Sequence, residues 1–173
     1  MTPLNLKGLS IWADYRTFGD PLDQALDAFI AKAVASNHEI FRHDTRTLKI
    51  NACQHCDGCF IKEVPCAYLD DFNVLAPDIL RSHDLVIFAE GSFSSALKSA
   101  LSKSRCFSSP KAEKSALHKV YLVYEGGEAD LKKGIQAYFE GVFELAPEAT
   151  KVVRYDKINA EKIQEIAAFA LLF

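Results

Sequence analysis

The sequence predicts a doubly wound α/β domain: a five-stranded parallel sheet with helices on both faces. Three observations predict it. Short apolar segments alternate with amphipathic helical stretches from end to end, the pattern of repeated strand–helix units. One of those segments, Leu85-Val86-Ile87-Phe88, is a continuous apolar run, as expected of a strand covered on both faces. At 173 residues the chain suits a single domain spanning 1–173, long enough to bury roughly 70% of its unfolded surface. Right-handed crossovers then place the strands in the order 2-1-3-4-5.

The elements follow in order. Leu9 to Ala13 reads as the first strand. Asp20-Pro21 supplies an N-cap followed by proline at the first helical position. Leu22, Ala25, Leu26, Phe29 and Ala33 recur at helical spacing, so 21–36 is an amphipathic helix. Glu39 to Asp44 is the second strand, and a long cysteine-bearing loop follows it. Asp70-Asp71 opens a helix reaching about Ser82, which Pro77 should kink or delay. After the Leu85–Phe88 strand, Ser95 is placed to cap a helix carrying Leu97, Ala100 and Leu101. Val120 to Tyr124 is the fourth strand, ended by Gly126-Gly127. Leu131, Ile135, Tyr138, Phe139 and Val142 stripe the next helix. Lys151 to Tyr155 is the fifth strand, and 160–172 closes the fold as a helix.

Composition excludes several classes of function. The net charge is −3, with basic and acidic residues interspersed, which gives no electrostatic reason to expect nucleic acid or an anionic membrane as a partner. The N-terminal residues have no basic segment followed by an apolar core, and no apolar run approaches the roughly 20 residues that span a bilayer. A cytoplasmic location is the resulting expectation. There the five cysteines would stay reduced rather than form a disulfide framework. The last helix carries Ile163, Ile166, Phe169 and Phe173 on one stripe with Leu171 and Leu172 beside it, more apolar face than one core usually needs. A homodimer or higher homo-oligomer burying part of it is expected.

In open α/β sheets ligands bind beyond the carboxyl ends of the strands, where helix N-termini also favour anions. The loops to read are therefore 13–21, 45–69, 89–95 and 125–130. The second of these holds Cys53, Cys56, Cys59 and Cys66. Three thiols at two-residue intervals with a fourth six residues on resemble iron–sulfur ligation more than structural zinc, whose ligands usually fall into two separated pairs. The alternative is four reduced thiols that bind nothing. His55 could add a ligand; Cys106 stands apart, and His38, His43, His83 and His118 read as solvated residues at element ends.

From Cys53 to Arg105 the chain resembles the flavodoxin-like NAD(P)H-dependent FMN reductases, including their iron–sulfur flavoprotein branch. The resemblance rests on the Cys53/Cys56/Cys59 loop with its later Cys66, and on the Asp70-Asp71 pair that opens a helix. It extends through the Asp84–Phe88 strand and the Ser94-Ser95-Ala96-Leu97-Lys98 helix start with its basic end at Arg105. It implies a flavodoxin-like fold and an FMN-dependent enzyme that takes hydride from NAD(P)H and passes electrons to a quinone, a flavin or another small acceptor. An iron–sulfur cluster on the four cysteines, or a non-catalytic member that has lost its cofactor, are the alternatives it leaves.

Carried onto this sequence, the resemblance gives Arg16, Thr17 and Gly19 to the FMN phosphate, Ser92 and Phe93 to the border of the ring, and Gly126 to the turn after the fourth strand. The family's phosphate loop is small and hydroxylated. Here it reads Ala13-Asp14-Tyr15-Arg16-Thr17-Phe18-Gly19-Asp20-Pro21, so Asp14 and Asp20 are expected to set negative charge beside a phosphate, and Pro21 removes one N–H. The loop after the third strand is several residues shorter than the family's and lacks its Pro-x-Tyr segment, leaving Phe93 either as a ring platform or as a core residue. No side chain stands out for acid–base catalysis.

Overall fold

A computed structural model describes residues 6–15, 18–61, 66–108, 117–126, 145 and 147–173. Five strands, β1 (Lys7–Asp14), β2 (His38–Asp44), β3 (Asp84–Glu90), β4 (Lys119–Glu125) and β5 (Thr150–Tyr155), form one parallel sheet in the order β2-β1-β3-β4-β5. That bears out the flavodoxin-like expectation. Between them run α1 (Pro21–Ala35), a single turn α2 (Gly58–Ile61), α3 (Phe72–Arg81) and α4 (Ser95–Lys103), and α5 (Ala160–Ala168) closes the fold. The helix expected around 131–142 lies outside the described residues.

The sheet divides two cores because side chains alternate across it. On one face Trp12, Ile87, Leu122 and Tyr124 pack with Phe72, Leu75, Leu97 and Phe107 under α3 and α4. On the other, Leu9, Ile11, Val86 and Phe88 pack with Leu22, Leu26, Phe29 and Ile166 under α1 and α5. Gly8 is glycine because α3 ends directly over β1: a Cβ there would stand 2.6 Å from the carbonyl oxygen of Arg81. The same close approach lets the His83 N–H donate to the Gly8 carbonyl at 2.8 Å.

Local chemistry accounts for the helix ends. Asp20 caps α1 by accepting from the Asp23 N–H at 2.8 Å, with Pro21 following as expected. The cap of α4 is Ser94, not Ser95: its Oγ accepts from the Leu97 N–H at 3.0 Å. α3 runs from Phe72 through Pro77 to Arg81 without a break or delayed start. Ile166 is fully buried, and Ile163, Phe169 and Phe173 pack against the α1 side of the sheet, with the Phe173 ring 4.8 Å from that of Tyr121. The stripe thus serves the chain's own core. Leu171 and Leu172 remain exposed beside it. No helix among the described residues is long and apolar enough to cross a membrane.

Candidate functional site

Strand order reverses between β1 and β3, so the crevice beyond their carboxyl ends is where this architecture binds ligands. Asp14, the last residue of β1, is fully buried there. Its carboxylate accepts from Thr45 Oγ1 at 2.7 Å and from the Ser94 N–H and Oγ at 2.8 and 2.5 Å. Arg46 adds a guanidinium whose Nε lies 3.7 Å from the same carboxylate, and its terminal nitrogen donates to the Asp14 carbonyl at 3.1 Å. One side chain therefore ties the end of β1 to the turn after β2 and to the start of α4. Asp14 does not face the β1–α1 loop, contrary to the expectation of repulsion there: hydroxyl, amide and guanidinium partners already satisfy it.

Beside this network lies a crevice of about 210 Å³ lined by Arg46, Glu90, Gly91 and Ser92. Gly91 and Gly126 follow paired residues at the ends of adjacent strands, Glu90 opposite Glu125. Both have left-handed backbones, with φ of 61° and 73°, and a Cβ on either would meet open space. The Gly91 N–H donates to the Glu125 carbonyl and the Gly126 N–H to that of Tyr155, each at 2.8 Å, so the two turns are fixed to the sheet.

The loop between β1 and α1 is organised by a residue that sequence reading missed. Asp23 accepts from the Gly19 N–H at 2.7 Å through one oxygen and from the Tyr15 hydroxyl at 2.7 Å through the other. Arg42 reaches both, 3.3 Å from the Tyr15 oxygen and 3.6 Å from Asp23, and also meets Asp27 at 3.4 Å. Burial pushes the Asp23 carboxyl up, but the Tyr15 hydroxyl, the Gly19 N–H and Arg42 outweigh it and hold the group below its ordinary value. Burial, then the bond to Asp23, pushes the Tyr15 phenol up, so it stays a neutral donor.

A phosphate at α1 would need these same N–H groups. The Gly19 N–H is given to Asp23, the Asp23 N–H to Asp20, and Pro21 has none. Two like charges about 4 Å apart near a surface repel by roughly 4 kcal/mol. Among the described residues, the Gly19 and Asp23 N–H groups are therefore not open to the phosphate end of FMN, and Asp20 and Asp23 set negative charge beside it. Arg16 and Thr17 lie outside the described residues, so only Gly19 of the expected phosphate contacts is placed, with its N–H engaged.

Of the expected ring residues, Ser92 lines the crevice; Gly126 sits, as expected, in the turn after β4. Phe93 is half-buried and packs against the α3–α4 core, because the short loop turns it inward toward α4. Arg46 is the second residue missed. A lone arginine after a strand carries no sequence signal. Asp23 had one, since Asp20-x-x-Asp23 is the spacing of a capping pair.

Cys53, Cys56, Cys59 and Cys66 line one small pocket, closed from α4's end by Lys103 and Arg105. Arg105 engages His55 Nδ1 at 2.7 Å and Asp57 at 3.2 Å, and His55 and Asp57 both have left-handed backbones. His55 lines the same pocket, with its Nδ1 engaged by Arg105. Among the described residues no three His, Cys, Asp or Glu side chains converge on a point that could hold a metal ion. The sequence suggested that the four cysteines share one centre; the structure places all four on one pocket. Cys106 does not stand apart. It is buried behind the loop, where burial first and then the nearby Cys59, Cys66 and Cys53 push its thiol up. Nor are all the histidines solvated: His38 is buried, and His43 Nε2 lies 2.8 Å from Asp78.

Alkylation should follow exposure and thiolate character. Cys56, the exposed thiol, is expected to react first and Cys106 last, with Cys59 slowed by burial. Mass spectrometry of a timed iodoacetamide reaction checks the order; early labelling of Cys106 would contradict the packing.

No family model matches the sequence, and no curated protein matches it. Solved structures do. The chain is similar to an NAD(P)H:quinone oxidoreductase from Methanothermobacter marburgensis, at 12% identity and a TM-score of 0.61, covering 95% of this chain and 94% of that one. It is similar to an NADH:FMN oxidoreductase at 11% identity and a TM-score of 0.57, covering 95% and 88%. A short-chain flavodoxin associated with a bacterial microcompartment matches at 12% identity and a TM-score of 0.53, covering 96% and 95%. At these identities the likeness is one of fold.

Proposed function

We propose that this chain is a flavin-dependent oxidoreductase that takes hydride from NAD(P)H and passes electrons to a quinone, a flavin or another small acceptor. The supporting observation is the open turn at Gly91 with Arg46 beside it, and a second open glycine turn, Gly126, at the end of the adjacent strand. The Gly91 turn leaves flat backbone next to a cation in the crevice where this fold binds ligands, and the fold is shared with the reductases named above. A bound flavin supplies the hydride chemistry; the chain orients it and sets the charge around it. Arg46 is held by Asp14 and Ser92 with its charge at the crevice wall, suited to the negative charge of a reduced ring. Ser92 and the Gly91 backbone bound the ring's edge.

Absorbance at 340 nm tests the reading. NAD(P)H oxidation by purified protein should require added or co-purified flavin and a quinone acceptor. Arg46→Ala should weaken flavin binding about tenfold, or about 1.4 kcal/mol, with Arg46→Lys between it and wild type. Absence of NAD(P)H oxidation with every flavin offered would reject the proposal.

A further inference from the structure

The β1–α1 loop also bears on which flavin the crevice accepts. Resting on the reading above, we infer that this site takes a flavin without a 5′-phosphate, of the riboflavin class, and that Asp23 sets the preference.

Asp23 occupies the position of a bound anion. Its Oδ2 receives the Gly19 N–H at 2.7 Å, a distance a phosphate oxygen would itself require, and its Oδ1 receives the Tyr15 hydroxyl at 2.7 Å. Asp20 takes the next helical donor, the Asp23 N–H, at 2.8 Å, and the Asp20 carbonyl takes the Gln24 N–H at 3.0 Å. The amide of Gln24 closes the loop from outside by donating to the Gly19 carbonyl at 2.9 Å. Two of the N–H groups that would meet a phosphate here, those of Gly19 and Asp23, are thus already given to the chain's own carboxylates.

The charge around it points the same way. Asp20, Asp23 and Asp27 line the first two turns of α1. Arg42 is the cation that meets Asp23 and Asp27, and its guanidinium is already shared between them and Tyr15. Among the described residues, a dianionic ester would enter a cluster that is net negative. Phe18, 70% exposed on the same loop, offers an apolar surface instead. A neutral ribityl chain meets none of this repulsion, while the ring's place against Gly91, Ser92 and Arg46 is unaffected.

Fluorescence titration of riboflavin and of FMN against the purified protein tests the inference. Wild type is expected to bind riboflavin at least tenfold more tightly than FMN. Asp23→Asn, which keeps the side chain's size and an acceptor for the Gly19 N–H, should tighten FMN several-fold and leave riboflavin within twofold. Asp20→Asn should act in the same direction while preserving the helix cap, since Asn caps as well as Asp, so the outcome does not depend on one variant folding. Equal or tighter binding of FMN by wild type overturns the inference and leaves the flavin reading standing. An unchanged FMN-to-riboflavin ratio in both variants overturns the role of the carboxylates. Binding of neither flavin overturns the flavin reading itself, and the inference with it.

Discussion

Asp14→Ala is expected to destabilise the fold by about 3–5 kcal/mol, among the largest losses available from one side chain in this molecule. The truncation leaves Thr45 Oγ1, the Ser94 N–H and the Ser94 hydroxyl facing a void, and strips the neighbouring Arg46 of its carboxylate. Each unmatched buried donor costs about 1–3 kcal/mol, more where a charge is left. The partners come from three separate elements, so the cost cannot be confined to one end of one helix.

Asp14→Asn should be milder, because the amide still accepts from two of these donors; a loss of about 1–2 kcal/mol is expected. Urea denaturation monitored by circular dichroism gives both values. Near-equal stability of wild type and Asp14→Ala would show that the network is not what joins β1 to α4. Ser94→Ala should couple to Asp14→Ala in a double-mutant cycle, because each removes one half of the same contact.

The fold was legible because it rests on short-range signals. The apolar run at Leu85–Phe88, the Asp20-Pro21 helix start and the heptad-like spacing of Leu22, Leu26 and Phe29 each declare an element without help from the rest of the chain. Even the misplaced cap of α4, Ser94 for Ser95, is an error of one residue between identical side chains. The site was far less legible. The partners of Asp14 lie 31 and 80 residues away, so the sequence shows only an acidic residue at a strand end. It was therefore assigned to the nearest loop, where it does not point. Cys106 was set apart for the same reason: only the path of α4 brings it beneath a loop some 50 residues earlier. Asp23 was missed although its spacing from Asp20 carries a local signal, that of a capping pair. What spacing could not reveal is that it reaches past the cap to the Gly19 N–H and fills the anion position.

Replacing Lys103 by Met should cost about 3–5 kcal/mol at neutral pH, by a mechanism that pH can identify. Lys103 and Asp70 form a pair 2.5 Å apart with side chains only 3% and 5% exposed. Asp70 also accepts from the Asn51 N–H at 2.9 Å and the Phe72 N–H at 3.0 Å, so the pair joins the end of α4 to the start of α3 and to the start of the cysteine loop. Burial pushes the Asp70 carboxyl up, but the Lys103 ammonium and the two backbone N–H groups outweigh it and hold the group below its ordinary value. A carboxyl depressed in the fold contributes stability that is present above its unfolded value, near pH 4, and is lost as pH falls through the lower folded value. In Lys103→Met the buried Asp70 loses its counter-charge, so burial dominates and its carboxyl takes up a proton earlier as pH falls. Protonation removes the penalty in the variant before it removes the benefit in wild type. The stability gap should therefore be widest near pH 7 and narrow steadily toward pH 4. Adding Asp70→Asn to Lys103→Met should recover much of the loss at pH 7 and flatten the pH dependence, because no buried charge then remains at the pair. Urea denaturation of wild type, Lys103→Met and the double variant at pH 7 and pH 4 measures this directly. A gap that stays constant between those two values would assign the loss to the packing of the buried Lys103 side chain rather than to its charge pair with Asp70.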